Sequence, residues 1–414
     1  MNSFTYCSPT EVLFGADTEC RIARCVKNCG SHKAMLVYGG RSARESGLLE
    51  RITEALEDGG IAYLPFGGVR PNPTVSHVRE GIARALEFGA DLVVGIGGGS
   101  AIDTAKAIAH GAANPKKEIW DIWTGKERLK ESLPIGVVLT IAAAGSELSN
   151  SAVLTNEELG RKQGLTTELN RPAFAIMNPA LTISVPYYQK CCGIADIMMH
   201  TMERYLGRED NALTDALAEA LLRTVVEQAE KLMKDPEDLD ALSELMWAGS
   251  LSHSGLTGLG GQGDWACHAL GHELSARFGV THGASLTAVW PAWASYVYPQ
   301  NQRRFEKYAK HVWGIEEEGE AAVQRAIEKT RRFFESLSLP VCLEDAIAQA
   351  AGENSAPGAA GAAATESAAV TVSDEVLHEL AFGCSRKGQQ TVGHARELLE
   401  EDLYQIYRNA CKGL

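Results

Sequence analysis

The 414-residue chain is longer than one hydrophobic core usually organises, so two domains are expected, and its 45% hydrophobic content can fill them. A formal net charge of −14 without any long basic run argues against sequence-independent binding to DNA, RNA or anionic lipid. The opening MNSFTYCSPTEVLFG lacks a basic stretch followed by an apolar run, no apolar stretch reaches membrane-spanning length, and ten cysteines lie without C-x-x-C spacing. The expectation is a cytoplasmic protein with reduced thiols.

In chain order, short apolar runs at 34–40, 61–66, 91–95 and 133–140 read as strands, and residues 47–56 and 75–86 carry helical periodicity. Strands and helices alternating at this pace imply a parallel sheet with helices on both faces, which takes ligands at the carboxyl ends of its strands. From Ile194 onward apolar residues recur at helical spacing, as in Leu213, Leu217, Leu221 and Val225. The expected organisation is therefore an α/β domain over 1–188 and an all-α domain over 189–414. Residues 346–372, rich in Ala, Gly and Ser, read as a surface loop with at most a frayed helix.

The strand at 91–95 runs into Gly97, Gly98, Gly99 and Ser100 and then into a helix. Glycines at such a turn let backbone N–H groups approach a phosphate, and the helix N-terminus adds favourable partial charge. Ser100 and Asp103 also make a capping pattern, so a well-capped turn without any ligand is the plain alternative. The motif is not a standard dinucleotide fingerprint, because Ser100 stands where a third glycine is expected and Asp121 does not end a strand. At the end of the first run, Gly39 and Gly40 are followed by Arg41, Ser42 and Arg44, with no acidic residue to receive a ribose 2′-hydroxyl. This composition favours NADP(H) over NAD(H).

Two further segments carry metal-ligand residue types. Asp196 and His200 are four apart on one helix face, and His268, His272 and His282 fall within fifteen residues of a chain with eleven histidines. His268 and His272 share a helix that Gly279 ends, and Gly283 beside His282 permits close backbone approach. One carboxylate with imidazoles suits Fe²⁺ or Zn²⁺ rather than Ca²⁺ or Mg²⁺.

With these residues in view, the chain resembles the iron-containing (group III) alcohol dehydrogenases, and within them the NADPH-dependent butanol dehydrogenase and aldehyde reductase branch. The similarity runs from SPTEVLFG through PNP at 71–73 and GGGSAIDTAKAIA to DWACHALGHEL and THGASL. The resemblance implies a Rossmann-like α/β nucleotide-binding domain followed by an all-helical metal-binding domain, and a homodimer. It places metal ligands at Asp196, His200, His268 and His282, and sets His272 apart as a substrate-facing residue outside the ligand set. An imidazole there could relay the proton to solvent, the plain alternative being that it orients its neighbours by a hydrogen bond. The resemblance places cofactor contacts at Gly97, Gly98, Gly99, Ser100 and Asp103, at Gly40 and Ser42 near the 2′-phosphate, and at Asn72, Thr140 and Lys162. The loop TIAAAGSEL departs from the family pattern at Ala144, where a hydroxyl residue is common, but keeps Ser146 and Glu147. The reaction so implied is hydride transfer between NADP(H) and a primary alcohol or aldehyde lying between the domains. A dehydroquinate synthase-type lyase shares the architecture, but it needs a basic cluster, whereas this segment carries Met198, Met199 and Trp265. A nucleotide-binding protein with a purely structural metal is a third alternative, though cysteine ligands would be more usual there.

Overall fold

In the computed structural model, which describes residues 1–355 and 371–411, the apolar runs of the first half pair into one six-stranded parallel sheet. Its strands are β1 (Glu11–Phe14), β2 (Lys33–Tyr38), β3 (Ala62–Phe66), β4 (Leu92–Gly97), β5 (Ile135–Leu139) and β8 (Phe174–Met177), in the order β1-β8-β5-β4-β2-β3. β2, β4, β5 and β8 are near-continuous apolar runs because helices cover both faces of the sheet. Pro65, which has no N–H to give, sits on the edge strand β3. A separate antiparallel hairpin, β6 (Ser151–Asn156) and β7 (Arg161–Thr166), escapes sequence reading because β7 is polar and largely exposed.

The sheet's helices are α1 (Ile22–Asn28), α2 (Ser42–Glu45), α3 (Leu48–Asp58), α4 (Val75–Phe88), α5 (Gly99–Ala113) and α6 (Ile119–Trp123). The chain leaves β2 toward β3 on one side and returns through α4 to β4 on the other side of β2. The order reverses between β2 and β4, and the two glycine turns follow the carboxyl ends of these neighbouring strands. In an open α/β sheet that is the ligand crevice.

Two compact units result, one of Cys7–Val185 with Glu237–Ser254, the other of Met1–Tyr6, Pro186–Pro236 and Gly255–Leu414. The return of α9 (Leu239–His253) to the α/β unit differs from the expected single crossing at 188. Its Ser250 hydroxyl donates to the buried Glu147 carboxylate, and Trp247 packs edge-on to Phe14 at 6.4 Å.

The second unit contains α7 (Tyr187–Tyr205), α8 (Ala212–Leu232), α10 (Ala266–Phe278), α11 (His282–Val297), α12 (Gln302–Trp313), α13 (Gly319–Ser336), α14 (Leu343–Ser355), α15 (Asp374–Cys384) and α16 (Glu400–Asn409). α11 is apolar almost all round, with Trp290 and Trp293 fully buried, and it packs against α7, α10, α13, α14 and α16. A helix without a polar face belongs at the centre of a bundle. Of the stretch expected to loop at 346–372, residues up to Ser355 continue α14, and 356–370 lie outside the described residues. Among the described residues no helix is long and apolar enough to cross a membrane.

Candidate metal and nucleotide sites

On α7 the residues Asp196, His200 and Glu203 recur at helical spacing and form a polar stripe within the buried part of the helix. α10 brings His268 and His272, and its first turn is held from Asp264, whose carboxylate accepts the Ala266 N–H at 3.1 Å. Gly279 closes α10 in the left-handed conformation at φ 71°, and three residues later α11 begins at His282. α11 can approach α7 because residue 283 is glycine. A Cβ there would stand 2.2 Å from the Cys192 carbonyl oxygen, on the turn that precedes Asp196.

The helices converge on Asp196 Oδ1, which lies 3.5 Å from His200 Nδ1, 3.7 Å from His268 Nε2 and 3.6 Å from His282 Nε2. Donor atoms of Asp196, His268 and His282 all fall within 4.8 Å of one another, and His200 borders this group with its ring stacked on His268 at 4.5 Å. His272 lies one turn further along α10, its ring stacked on His282 at 5.4 Å. Asp196 Oδ1 and His268 Nε2 are buried, too far apart to bond each other, and without a hydrogen-bond partner. Leaving two such atoms unsatisfied is costly, and a cation between them removes the cost. Local electrostatics agree. Burial pulls the His268 imidazole toward neutrality, yet the negative charge of Glu203, its hydrogen bond to the ring and the nearby Asp196 carboxylate outweigh it and raise its pKa to about 9. The donor set, carboxylate oxygen with imidazole nitrogen, fits Fe²⁺ or Zn²⁺.

Glu203 is absent from the sequence-derived set. Fully buried, it accepts the backbone N–H groups of Cys267 at 2.6 Å and His268 at 3.3 Å, and its other oxygen meets His268 Nδ1. Its signal was the spacing: it stands seven residues after Asp196, on the same face.

In the α/β unit, Gly97 has φ 149°, and a Cβ on Gly98 would stand 2.3 Å from Ile141 Cγ2, so the turn after β4 admits only small residues. The structure corrects the expected cap. α5 starts at Gly99, with Gly98 as an extended N-cap that has no side chain, and Ser100 is already inside the helix. No side chain caps this first turn, in which the Ala101 and Ile102 N–H groups donate to the Gly98 carbonyl. Asp103 is directed away from that turn, since its carboxylate accepts Ser146 Oγ at 2.7 Å and the Val153 N–H at 2.9 Å. Next to it, the buried Lys106 ammonium donates to the Ser146 carbonyl at 2.8 Å, the Ser151 carbonyl at 2.8 Å and the Ser149 carbonyl at 3.3 Å. Burial lowers the Lys106 pKa to about 8 against the pull of Asp103 and Glu147. This network fastens the 140–151 loop to α5 through Asp103, which the resemblance places among the cofactor contacts.

Of the other expected cofactor residues, one reaches the turn after β4 and two meet each other. Thr140 follows β5 and donates its N–H to the Gly97 carbonyl at 3.1 Å. Lys162, on β7, donates to Asn72 Oδ1 at 3.0 Å, and Asn72 itself holds φ 59°. Gly40 is open, with nothing within 4 Å of a Cβ built there, and Ser42 begins α2. Arg44 turns back to donate to Tyr38 Oη at 2.5 Å, whereas Arg41 is exposed and 3.9 Å from Glu45.

One unit with a parallel α/β sheet and glycine turns at its switch point, and one helical unit with a buried carboxylate–imidazole cluster, define the class to which known proteins can be compared. Residues 9–179 match the family model for iron-containing alcohol dehydrogenase, and 191–381 match that for the C-terminal part of the Fe-containing alcohol dehydrogenase family. The chain is 35% identical over 414 residues to NADH-dependent butanol dehydrogenase A of Clostridium acetobutylicum, covering 99% of this chain and 100% of that protein. It is 34% identical to the NADPH-dependent aldehyde reductase YqhD of Escherichia coli, over 83% of this chain and 89% of that one. The crystal structure of NADH-dependent butanol dehydrogenase A from Thermotoga maritima superposes with a TM-score of 0.90 at 31% identity, covering 100% of this chain and 99% of that one. The chain belongs to the iron-containing alcohol dehydrogenase family. It is an alcohol/aldehyde oxidoreductase, and the lyase alternative is not favoured.

Proposed function

We propose that this chain interconverts a primary alcohol and its aldehyde using NADP(H) and a divalent metal held by Asp196, His200, His268 and His282. The observation that carries the reading is the pair of buried, unsatisfied donor atoms, Asp196 Oδ1 and His268 Nε2. A divalent ion there supplies a Lewis acid for the substrate oxygen, and the nicotinamide supplies or accepts the hydride. His272, half-buried beside His282, moves the proton between the substrate oxygen and solvent through a ring nitrogen.

Cofactor binding is assigned to Gly97, Gly98, Gly99 and Ser100, whose first-turn N–H groups orient the pyrophosphate, with Thr140, Asn72 and Lys162 alongside. Preference for NADP(H) is supported by Gly40 and Ser42 after β2, small residues that carry no carboxylate of their own to repel a 2′-phosphate. The relatives include both nucleotide types by name, so this preference is a property of the present residues and not of the family. Initial rates with butyraldehyde and either NADPH or NADH test it: a higher kcat/KM with NADPH is expected, and equal or higher efficiency with NADH contradicts it.

A further inference from the structure

We propose that Glu203 is a positioning residue that sets the tautomer and ring plane of His268, so that His268 Nε2 is the atom presented to the metal. The proposal rests on the metal-site reading above. A fully buried carboxylate must be satisfied, and Glu203 achieves this wholly on the first turn of α10. One oxygen, Oε1, collects the Cys267 and His268 backbone N–H groups at 2.6 and 3.3 Å, leaving Oε2 for the His268 ring at Nδ1. Anchored at its own backbone and its ring by the same carboxylate, His268 cannot rotate about its side-chain bonds without breaking a buried hydrogen bond. With the proton on Nδ1, the lone pair is on Nε2, which is the nitrogen 3.7 Å from Asp196 Oδ1. Because Glu203 is on α7 with Asp196 and His200, one helix both furnishes donor atoms and orients a donor on another helix. Partners of this kind hold ligand rings in place, and losing them weakens metal affinity by about 10–100-fold.

A plain helix cap would also explain the two backbone bonds, so the test must separate capping from ring orientation. Glu203→Gln keeps a carbonyl oxygen for the two N–H groups but turns an NH₂ donor toward His268 Nδ1, which moves the ring proton to Nε2. In the full-length, metal-stripped protein, Zn²⁺ affinity is measured by chelator competition and the Co²⁺ d–d spectrum is recorded, with the thermal midpoint of the metal-free form alongside. The expected result is a Zn²⁺ affinity about 10–100-fold below wild type and an altered Co²⁺ spectrum, at a metal-free midpoint close to wild type. Zn²⁺ affinity equal to wild type overturns the role of Glu203 while leaving the metal centre intact. Failure of the wild-type protein itself to bind Zn²⁺ or Co²⁺ overturns the metal centre and this role with it. Should the variant not fold, the wild type decides: long-range ¹H–¹⁵N spectra of the zinc-loaded, ¹⁵N-histidine-labelled protein must show the His268 proton on Nδ1, and a proton on Nε2 overturns the proposal.

Discussion

His268 and His272 are four residues apart on one helix, yet they are expected to fail differently. His268 Nε2 is a buried donor atom without a hydrogen-bond partner, so His268→Ala should abolish metal retention and turnover together. His272→Ala should leave the metal bound while slowing turnover by about 10²-fold or more, the usual contribution of a positioned proton carrier. Metal content by elemental analysis beside kcat separates the two, and a metal-free His272→Ala protein contradicts the division of roles. At the end of β2, Gly40→Asp introduces a carboxylate where there is room for one. The NADPH-to-NADH ratio of kcat/KM should drop by about tenfold or more, read from steady-state rates with both nucleotides. An unchanged ratio places the 2′-phosphate elsewhere. The histidines and Asp196 were legible because imidazoles and carboxylates at helical spacing stand out in apolar surroundings. Asp103 and Glu203 were not, since a carboxylate's role depends on which way it points. Asp103 turns inward to Ser146 and Val153, and Glu203 turns onto α10.

Close packing of α7, α10 and α11 is what assembles the donor atoms. Gly283 lets α11 lie directly against the Cys192 backbone of α7, so Gly283→Ala forces the helices apart by its contact with the Cys192 carbonyl. A loss of about 1–3 kcal/mol is expected from overpacking against backbone that has no rotamer to yield. Weaker Zn²⁺ binding should accompany it, because His282 is the next residue. Thermal midpoint and Zn²⁺ affinity together check this, and a shift in neither would mean that α11 adjusts freely. Elements with continuous apolar runs, such as β2, β4 and β5, were readable within a residue or two of their ends. β1 and β8, each four residues long, and the polar β7 gave too little pattern to read. α9 fell within the stretch read as all-helical, but its return to the α/β unit involves Ser250 meeting Glu147, a long-range contact that periodicity does not encode.

At the scale of the whole molecule, stability should respond to pH through a residue outside the donor cluster. His110, fully buried in α5, has Nε2 against Asn170 Oδ1 and Nδ1 against Ser132 Oγ, each at 2.8 Å. Burial, with the Lys106 charge assisting, lowers its pKa to about 4 against the opposing hydrogen bond to Asn170. An unfolded histidine takes up its proton near pH 6.5, before the folded one does. Folding stability is therefore full above that pH and falls as pH drops from about 6.5 to about 4, by on the order of 3 kcal/mol. His110→Gln should flatten the dependence of the thermal midpoint on pH across this window, and an unchanged slope assigns the acid sensitivity to other groups. The central claim is that alcohol/aldehyde turnover depends on a divalent metal at Asp196, His200, His268 and His282, and NADPH oxidation with butyraldehyde tests it most directly. Protein stripped by a chelator should lose the absorbance change at 340 nm (roughly the nicotinamide maximum) and regain it when Fe²⁺ or Zn²⁺ is restored. Undiminished NADPH oxidation by the fully stripped protein would contradict it.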